Sequence, residues 1–291
     1  MENSGFCENE QIAKKIYELI ANNLLGIEQL KKIQDRYDDM RSNFNNVAED
    51  YIGDDRKAWT FSEGLYPFTP KNSTKPYSNT TAVPIPITHP DFIDLTTRTE
   101  KRGAIGLDLP TWFNMHGHPV IMLVAQDPLR SAKLYGETER DGDDHLCTDA
   151  VVSSPFGLHD AKYRGNGKGG KRMWLLVKEL IGKGYGVYLT DSRKYFVYSH
   201  EESVKYTSKE KAARYKAILS EEIAIIKPQK IVAFGLVAKN YCNSIGRKTY
   251  PEQPLPHFSG RPGNRIKAYF DYEGSRKIAE LAKMYADEIL G

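Results

Sequence analysis

Val120-Ile121-Met122-Leu123-Val124-Ala125-Gln126-Asp127-Pro128-Leu129 is the stretch on which the reading of this chain turns. An apolar run with β-branched members predicts a strand buried on both faces. Pro128 has no amide hydrogen to give a sheet ladder, so the strand must stop at this corner. Asp127 is then presented from a stiff turn at the strand's C-terminal tip. In an open α/β sheet that edge is where ligands bind, and a carboxylate held there is a candidate catalytic group.

Downstream, apolar runs and helical periodicities alternate. A helix is predicted around Met173 to Ile181, then a strand Gly186-Val187-Tyr188-Leu189-Thr190 ending at Asp191. A long helix from about Ser208 to Ile226 stops before Pro228, and Lys230-Ile231-Val232-Ala233-Phe234-Gly235 forms a third strand running into another helix. A loop from Leu255 to Arg265 leads to a fourth strand at Ile266 to Phe270, and a final helix covers Gly274 to Leu290. The fold class expected is α/β: three layers, α/β/α, around a central four-stranded parallel sheet.

Upstream the pattern differs. Residues 9 to 48 predict two amphipathic helices, with Ile12, Ile16, Leu19, Ile20 and Leu24 on one and Leu30, Ile33, Tyr37 and Met40 on the other. From Trp59 to about Pro110 regular periodicity is lost, and Trp59, Phe61, Tyr66 and Phe68 suggest an ordered wrap on a neighbouring core. The division expected is a helical and loop-rich N-terminal extension, 1 to 115, and a catalytic domain, 116 to 291.

Composition narrows the class. With 291 residues, 40% apolar and 27% charged, the chain has the make-up of a globular protein. No apolar stretch reaches membrane-spanning length and the acidic N-terminus does not read as a signal peptide, so a cytoplasmic protein without membrane association is expected. Cys7, Cys147 and Cys242 are too few and too scattered for a disulfide framework or a cysteine-rich metal cluster. His116, His118, His145, Cys147 and His159 show no ligand pairing, so no metal is expected. The net charge of +3 does not announce a polyanion partner, but Lys162, Arg164, Lys168, Lys171 and Arg172 concentrate positive charge among glycines. That segment suits contact with phosphates. Its Gly165-Asn166-Gly167-Lys168-Gly169-Gly170-Lys171-Arg172 nearly matches a nucleotide-binding loop, but Arg172 stands where Mg²⁺ needs a hydroxyl and no strand leads into it.

Each strand tip carries a reactive group: Gln126-Asp127-Pro128 on the first, Asp191 on the second, and His257-Phe258-Ser259-Gly260-Arg261 before the expected fourth. A carboxylate and an imidazole at one sheet edge can activate water and stabilise a departing anion. In this order, with Ser154-Pro155-Phe156-Gly157 between them, the motifs over residues 118 to 290 resemble those of the uracil-DNA glycosylase superfamily. Ala125-Gln126-Asp127-Pro128-Leu129 resembles its water-activating G-Q-D-P-Y motif, and Phe156 stands where the family stacks the extruded base. Tyr188-Leu189-Thr190-Asp191 resembles the strand that ends in the uracil-reading Asn, and His257 to Arg261 resembles H-P-S-P-L or H-P-S-P-R.

The resemblance implies a monofunctional glycosylase that rotates a nucleotide out of DNA and hydrolyses its N-glycosidic bond, without a cofactor, to leave an abasic site. Asp127 would orient water, His257 would hydrogen-bond the base O2, and Gln126, Leu129, Phe156 and Asp191 would line the base. Ser259, Gly260, Arg261, Arg265, Lys168 and Lys171 would contact DNA, with Arg261 filling the vacated stack. Family members with an iron-sulfur cluster use four cysteines, which this chain lacks. The resemblance leaves the oligomeric state open.

Two positions depart from the uracil-excising pattern. Asp191 replaces the Asn, and an ionised carboxylate only accepts hydrogen bonds, which suits the exocyclic amine of cytosine rather than uracil O4, by about 1 to 3 kcal/mol. A second bond, to cytosine N3, would need a shared proton. Leu129 replaces the Tyr that blocks substituents at pyrimidine C5. An acidic insertion over 130 to 155 could hydrogen-bond a polar adduct. Together these point to 5-modified cytosine, hydroxymethylated or glucosylated as in phage genomes, and to a defence role. The alternatives are uracil excision in base-excision repair and a non-catalytic DNA-binding or sensing protein on the same scaffold.

Overall fold

The structure, a computed structural model, describes residues 12, 15–16, 18–20, 23, 81–84, 103–108, 110–115, 117–127, 149–153, 155–158, 168–199, 209–258, 263–273 and 276–291. Its strands are β1 (Thr81–Pro84), β2 (Gly103–Asp108), β3 (Thr111–Phe113), β4 (Val120–Ala125), β5 (Asp149–Ser153), β6 (Gly186–Asp191), β7 (Tyr195–Ser199) and β8 (Lys230–Ala233). The helices are α1 (Lys168–Gly182), α2 (Lys209–Ile226), α3 (Gly235–Ser244), α4 (Gly263–Phe270) and α5 (Ile278–Leu290).

β4 lies at the centre of a four-stranded sheet in the order β3-β6-β4-β8. Every residue of β4 and β6 is buried. Such strands need cover on both faces, which explains why they read as unbroken apolar runs. Ile121, Leu123, Val187, Leu189 and Val232 pack with Trp174, Val177 and Leu180 of α1 and with Leu281, Tyr285 and Ile289 of α5. On the opposite face, Tyr188 and Thr190 meet α2 through Glu222, and α3 packs on β4 and β8.

Two expectations are corrected. The sheet is parallel across β6, β4 and β8, but its fourth strand is β3, antiparallel to β6. The segment expected as that strand, Ile266 to Phe270, is instead part of α4. The reason is spacing: Ile266, Tyr269 and Phe270 fall at i, i+3 and i+4, one helical face, and Ile266 is buried while Asn264, Arg265 and Ala268 are exposed. Phe270 then packs on Tyr285 of α5 at 4.8 Å between ring centroids. β3 can lie against β6 because Gly186 has no side chain: a Cβ there would come within 2.6 Å of Met115 Cα.

A second four-stranded sheet, in the order β1-β5-β2-β7, draws β1 and β2 from the segment read as a wrap, β5 from the insertion and β7 from the stretch between Asp191 and Ser208. Only β2 and β5 are parallel within it. Chain connectivity ties it to the C-terminal edge of the first sheet. β7 starts four residues after β6 ends, β2 ends three residues before β3 begins, and β5 ends two residues before Pro155. Of the two expected N-terminal helices, the described residues include helical Ile12, Ile16, Leu19 and Ile20, with Ile16 and Ile20 buried. Leu24, Leu30, Ile33, Tyr37 and Met40, with Trp59, Phe61, Tyr66 and Phe68, lie outside the described residues.

Behind β6 sits a buried polar cluster. Glu222 is 0% exposed and accepts hydrogen bonds from Tyr188 Oη at 3.0 Å and Thr190 Oγ1 at 2.9 Å, and it pairs with Lys194, 1% exposed. Lys194 Nζ also donates to Thr190 Oγ1 at 2.8 Å. Burial of two charges is tolerated because each is paired and hydrogen-bonded. Glu222→Ala should lower unfolding free energy by about 3 to 5 kcal/mol by stranding the lysine, as read from urea denaturation. A loss below about 1 kcal/mol would contradict this desolvated pairing.

Candidate active site at the sheet edge

The parallel ladder of β4 and β6 pairs Ala125 with Asp191. It then continues past both strand ends: Ser192 N donates to Ala125 O at 2.9 Å, Arg193 N to Gln126 O at 3.0 Å, and Ser192 Oγ to Gln126 O at 2.8 Å. The Gln126–Asp127 corner is thereby fastened to the turn after Asp191. By strand alternation Asp191 follows Val187 and Leu189 onto the face covered by α1 and α5, while Asp127 lies two residues past the end of β4. Asp191 is 2% exposed. Gln126 Nε2 donates to Asp127 Oδ2 at 2.7 Å, which fixes that carboxylate's orientation.

The imidazole arrives from the segment after β8. Phe234 forms a bridge with Leu255, and Leu255 N donates to Ala233 O at 2.9 Å, so this segment runs along the β8 tip. Both neighbours of His257 are anchored. Tyr285 Oη donates to Pro256 O at 2.9 Å, and Arg172 of α1 donates to Phe258 O at 3.3 Å. Burial pushes the His257 pKa down from 6.5 to about 4, with the Asp127 carboxylate opposing the shift. At neutral pH the ring is therefore uncharged and has one N–H to donate.

Phe156 closes the group. It adopts φ 60°, ψ 10°, a left-handed conformation that costs a non-glycine residue about 1 to 2 kcal/mol. Its ring stacks on His257 at 4.9 Å and 25°, and meets Phe234 and Phe258 edge-on at 6.1 and 6.3 Å. These contacts hold the strained backbone in place and leave the ring half-buried.

No protein-family model matches this chain, and no curated protein sequence matches it. The chemistry of the site rests on its own geometry. Gln126, Asp127, Phe156, Asp191 and His257 share one sheet edge. Together they offer a flat aromatic face, a neutral hydrogen-bond donor and two carboxylates, a set able to bind a planar ring, orient water and stabilise both cationic and anionic centres.

The other expected residues divide. Leu129, Ser259, Gly260 and Arg261 lie outside the described residues, as does most of the acidic insertion. Lys168 opens α1, and Lys171 is half-buried one turn on. Arg265 is exposed on α4 rather than in a loop. Sequence reasoning missed two residues. Arg172 was read as part of a basic, phosphate-contacting segment and as a failed Mg²⁺ ligand, yet it holds the backbone beside His257. Arg193, two residues past the Asp191 tip, sets its guanidinium 3.4 Å from Asp127 Oδ2; its place after a functional strand tip was the available signal. Among the described residues no group of three or more His, Cys, Asp and Glu could hold a metal ion, and no helix is long and apolar enough to cross a membrane.

The depressed His257 pKa carries a stability signature. Between about pH 4 and 6.5 the unfolded chain holds the proton that the folded chain refuses. This contribution to stability is complete above about 6.5 and is lost as pH falls through that window, by at most about 3 kcal/mol. Urea midpoints of His257→Asn should fall less steeply over the same window. Equal slopes for the two proteins would show that the imidazole is not buried in its neutral form.

Proposed function

We propose that this chain is a monofunctional DNA glycosylase of the uracil-DNA glycosylase type that excises 5-modified cytosine. The observation that carries this reading is the meeting of Asp127, Asp191 and the Phe156–His257 ring stack at the C-terminal edge of one sheet. A base inside a duplex is out of reach of such an edge, so the nucleotide must be extruded before it can react.

Phe156 supplies a stacking face, worth about 1 to 3 kcal/mol per base. Asp127 accepts a hydrogen bond from water and directs its oxygen toward C1′ of the sugar. As the C1′–N1 bond breaks, its electron pair leaves with the base, and the Asp127 carboxylate stabilises the cationic sugar. The water oxygen bonds to C1′ and its proton passes through Asp127 to solvent. Neutral His257 donates to O2, where negative charge gathers on the departing ring. Asp191, ionised, accepts from the exocyclic amine and from a proton taken up from solvent at N3; that proton stays on N3 as the C1′–N1 bond breaks, so the base leaves neutral. Cytosine is a poorer leaving group than uracil, so that proton contributes most in the transition state.

Asp191 favours cytosine over uracil because a buried carboxylate facing O4 would set acceptor against acceptor. In the sequence Leu129 stands where the family has a blocking Tyr, and a smaller side chain there would admit a hydroxymethyl or glucosyl group. The proposed setting is defence against phage whose DNA carries such cytosines. The protein should be incubated with duplexes containing uracil, cytosine, 5-hydroxymethylcytosine or its glucosylated form, and abasic sites scored after alkaline cleavage. Abasic sites are expected at the modified cytosines, with Asp127→Asn slower by about two to three orders of magnitude. Release of uracil alone contradicts the choice of base, and no release from any duplex contradicts the glycosylase reading.

A further inference from the structure

Arg193 holds the backbone connection between β6 and β7 at a point where everything around it is fixed. Its own N–H donates to Gln126 O at 3.0 Å. Ser192 before it donates to Gln126 O at 2.8 Å, and Lys194 after it is locked in the buried pair with Glu222. The Arg193 side chain reaches from this turn to the sheet-edge carboxylate. Its guanidinium stands 3.4 Å from Asp127 Oδ2, with 18% of the Arg193 side chain and 5% of the Asp127 side chain exposed.

That ion pair is at odds with the task assigned to Asp127. A carboxylate that must face a cationic sugar is weakened by a guanidinium beside it, because the fixed positive charge opposes the developing one. A second anion would resolve the conflict. The arrangement lies at the sheet edge to which a nucleic-acid backbone would come, and a planar guanidinium binds a phosphate through two parallel N–H···O bonds.

We propose that Arg193 is a phosphate-binding residue of this site, paired with Asp127 in the free protein and transferred to a backbone phosphodiester of DNA when DNA binds. The proposal rests on the glycosylase reading for its catalytic consequence. Phosphate capture draws the guanidinium away from the carboxylate, so Asp127 regains its full effect on the sugar only when DNA is in place. In the absence of DNA the pair keeps the nearly buried carboxylate compensated.

The test uses the full chain and two readouts. The first is binding to a duplex containing a tetrahydrofuran abasic analogue, measured by fluorescence anisotropy over a range of salt concentrations. The second is steady-state base release from the duplex that the unsubstituted protein cleaves. Arg193→Gln should make the slope of log affinity against log salt shallower by about one. It should also raise KM by about 10-fold or more, with the loss of kcat/KM carried by KM. Arg193→Lys should keep the salt slope and recover most of KM, since an ammonium still meets a phosphate as a point charge.

An unchanged slope and KM for Arg193→Gln would overturn the proposal. So would a loss confined to kcat with Arg193→Lys no better than Arg193→Gln, which would place Arg193 with the reacting atoms instead. Should Arg193→Gln fail to fold, Arg193→Met takes its place with the same outcomes: a slope shallower by about one with raised KM supports phosphate binding, and an unchanged slope and KM contradict it. No base release by the unsubstituted protein counts against the glycosylase reading alone, because the salt slope still reports whether Arg193 meets a phosphate.

Discussion

The register between β4 and β6 is the constraint from which the candidate site follows. Ala125 lies opposite Asp191, and three further hydrogen bonds carry the pairing beyond the strands to Gln126, Ser192 and Arg193. Side chains alternate along a strand, so a slip of one residue would send Asp191 to the opposite face and break the match between the two tips. Burial opposes that slip: Val187 and Leu189 would leave the core with α1 and α5, while Tyr188 and Thr190 would lose Glu222. Packing at the middle of the sheet thus fixes chemistry at its edge.

The two faces of β6 divide the labour. One face carries an apolar core and, at its end, Asp191. The other carries Tyr188, Thr190, Lys194 and Glu222, whose charges are compensated within the cluster. Because Lys194 is held from below and Ser192 from the side, the turn between β6 and β7 is rigid where it carries Arg193 past Asp127. A similar principle holds His257, whose neighbours are tied to Tyr285 and Arg172. Groups that must act within a fraction of an ångström are supported by residues that never touch a substrate.

Much of this was legible in the sequence. The β4, β6 and β8 runs, the helices α1 and α2, and the positions of Asp127 and Asp191 at strand tips follow from apolar continuity and chain breakers. Phe156 and His257 are singled out by the family resemblance, and His257 lies along the β8 tip rather than before a fourth strand. What the sequence hid depended on distant partners. β3 is three residues long, and β1, β2 and β5 pair with segments far along the chain, so local periodicity gives them little signal. Ile266 to Phe270 was misread because a short apolar run does not distinguish strand from helix until its buried partners are known. A lysine is expected at the surface; Lys194 is buried only because Glu222, 28 residues later, meets it. Arg193 gains its meaning in the same way, from a contact with Asp127 spanning 66 positions.

The most direct test is a crystal structure of the Asp127→Asn protein bound to a duplex containing one 5-hydroxymethylcytosine. The account predicts that base outside the helix and stacked on Phe156, with its exocyclic amine on Asp191, its O2 within hydrogen-bond reach of His257, and its C5 substituent on the Leu129 side. A base still paired in the duplex, or extruded to a place away from Phe156 and Asp191, would contradict it.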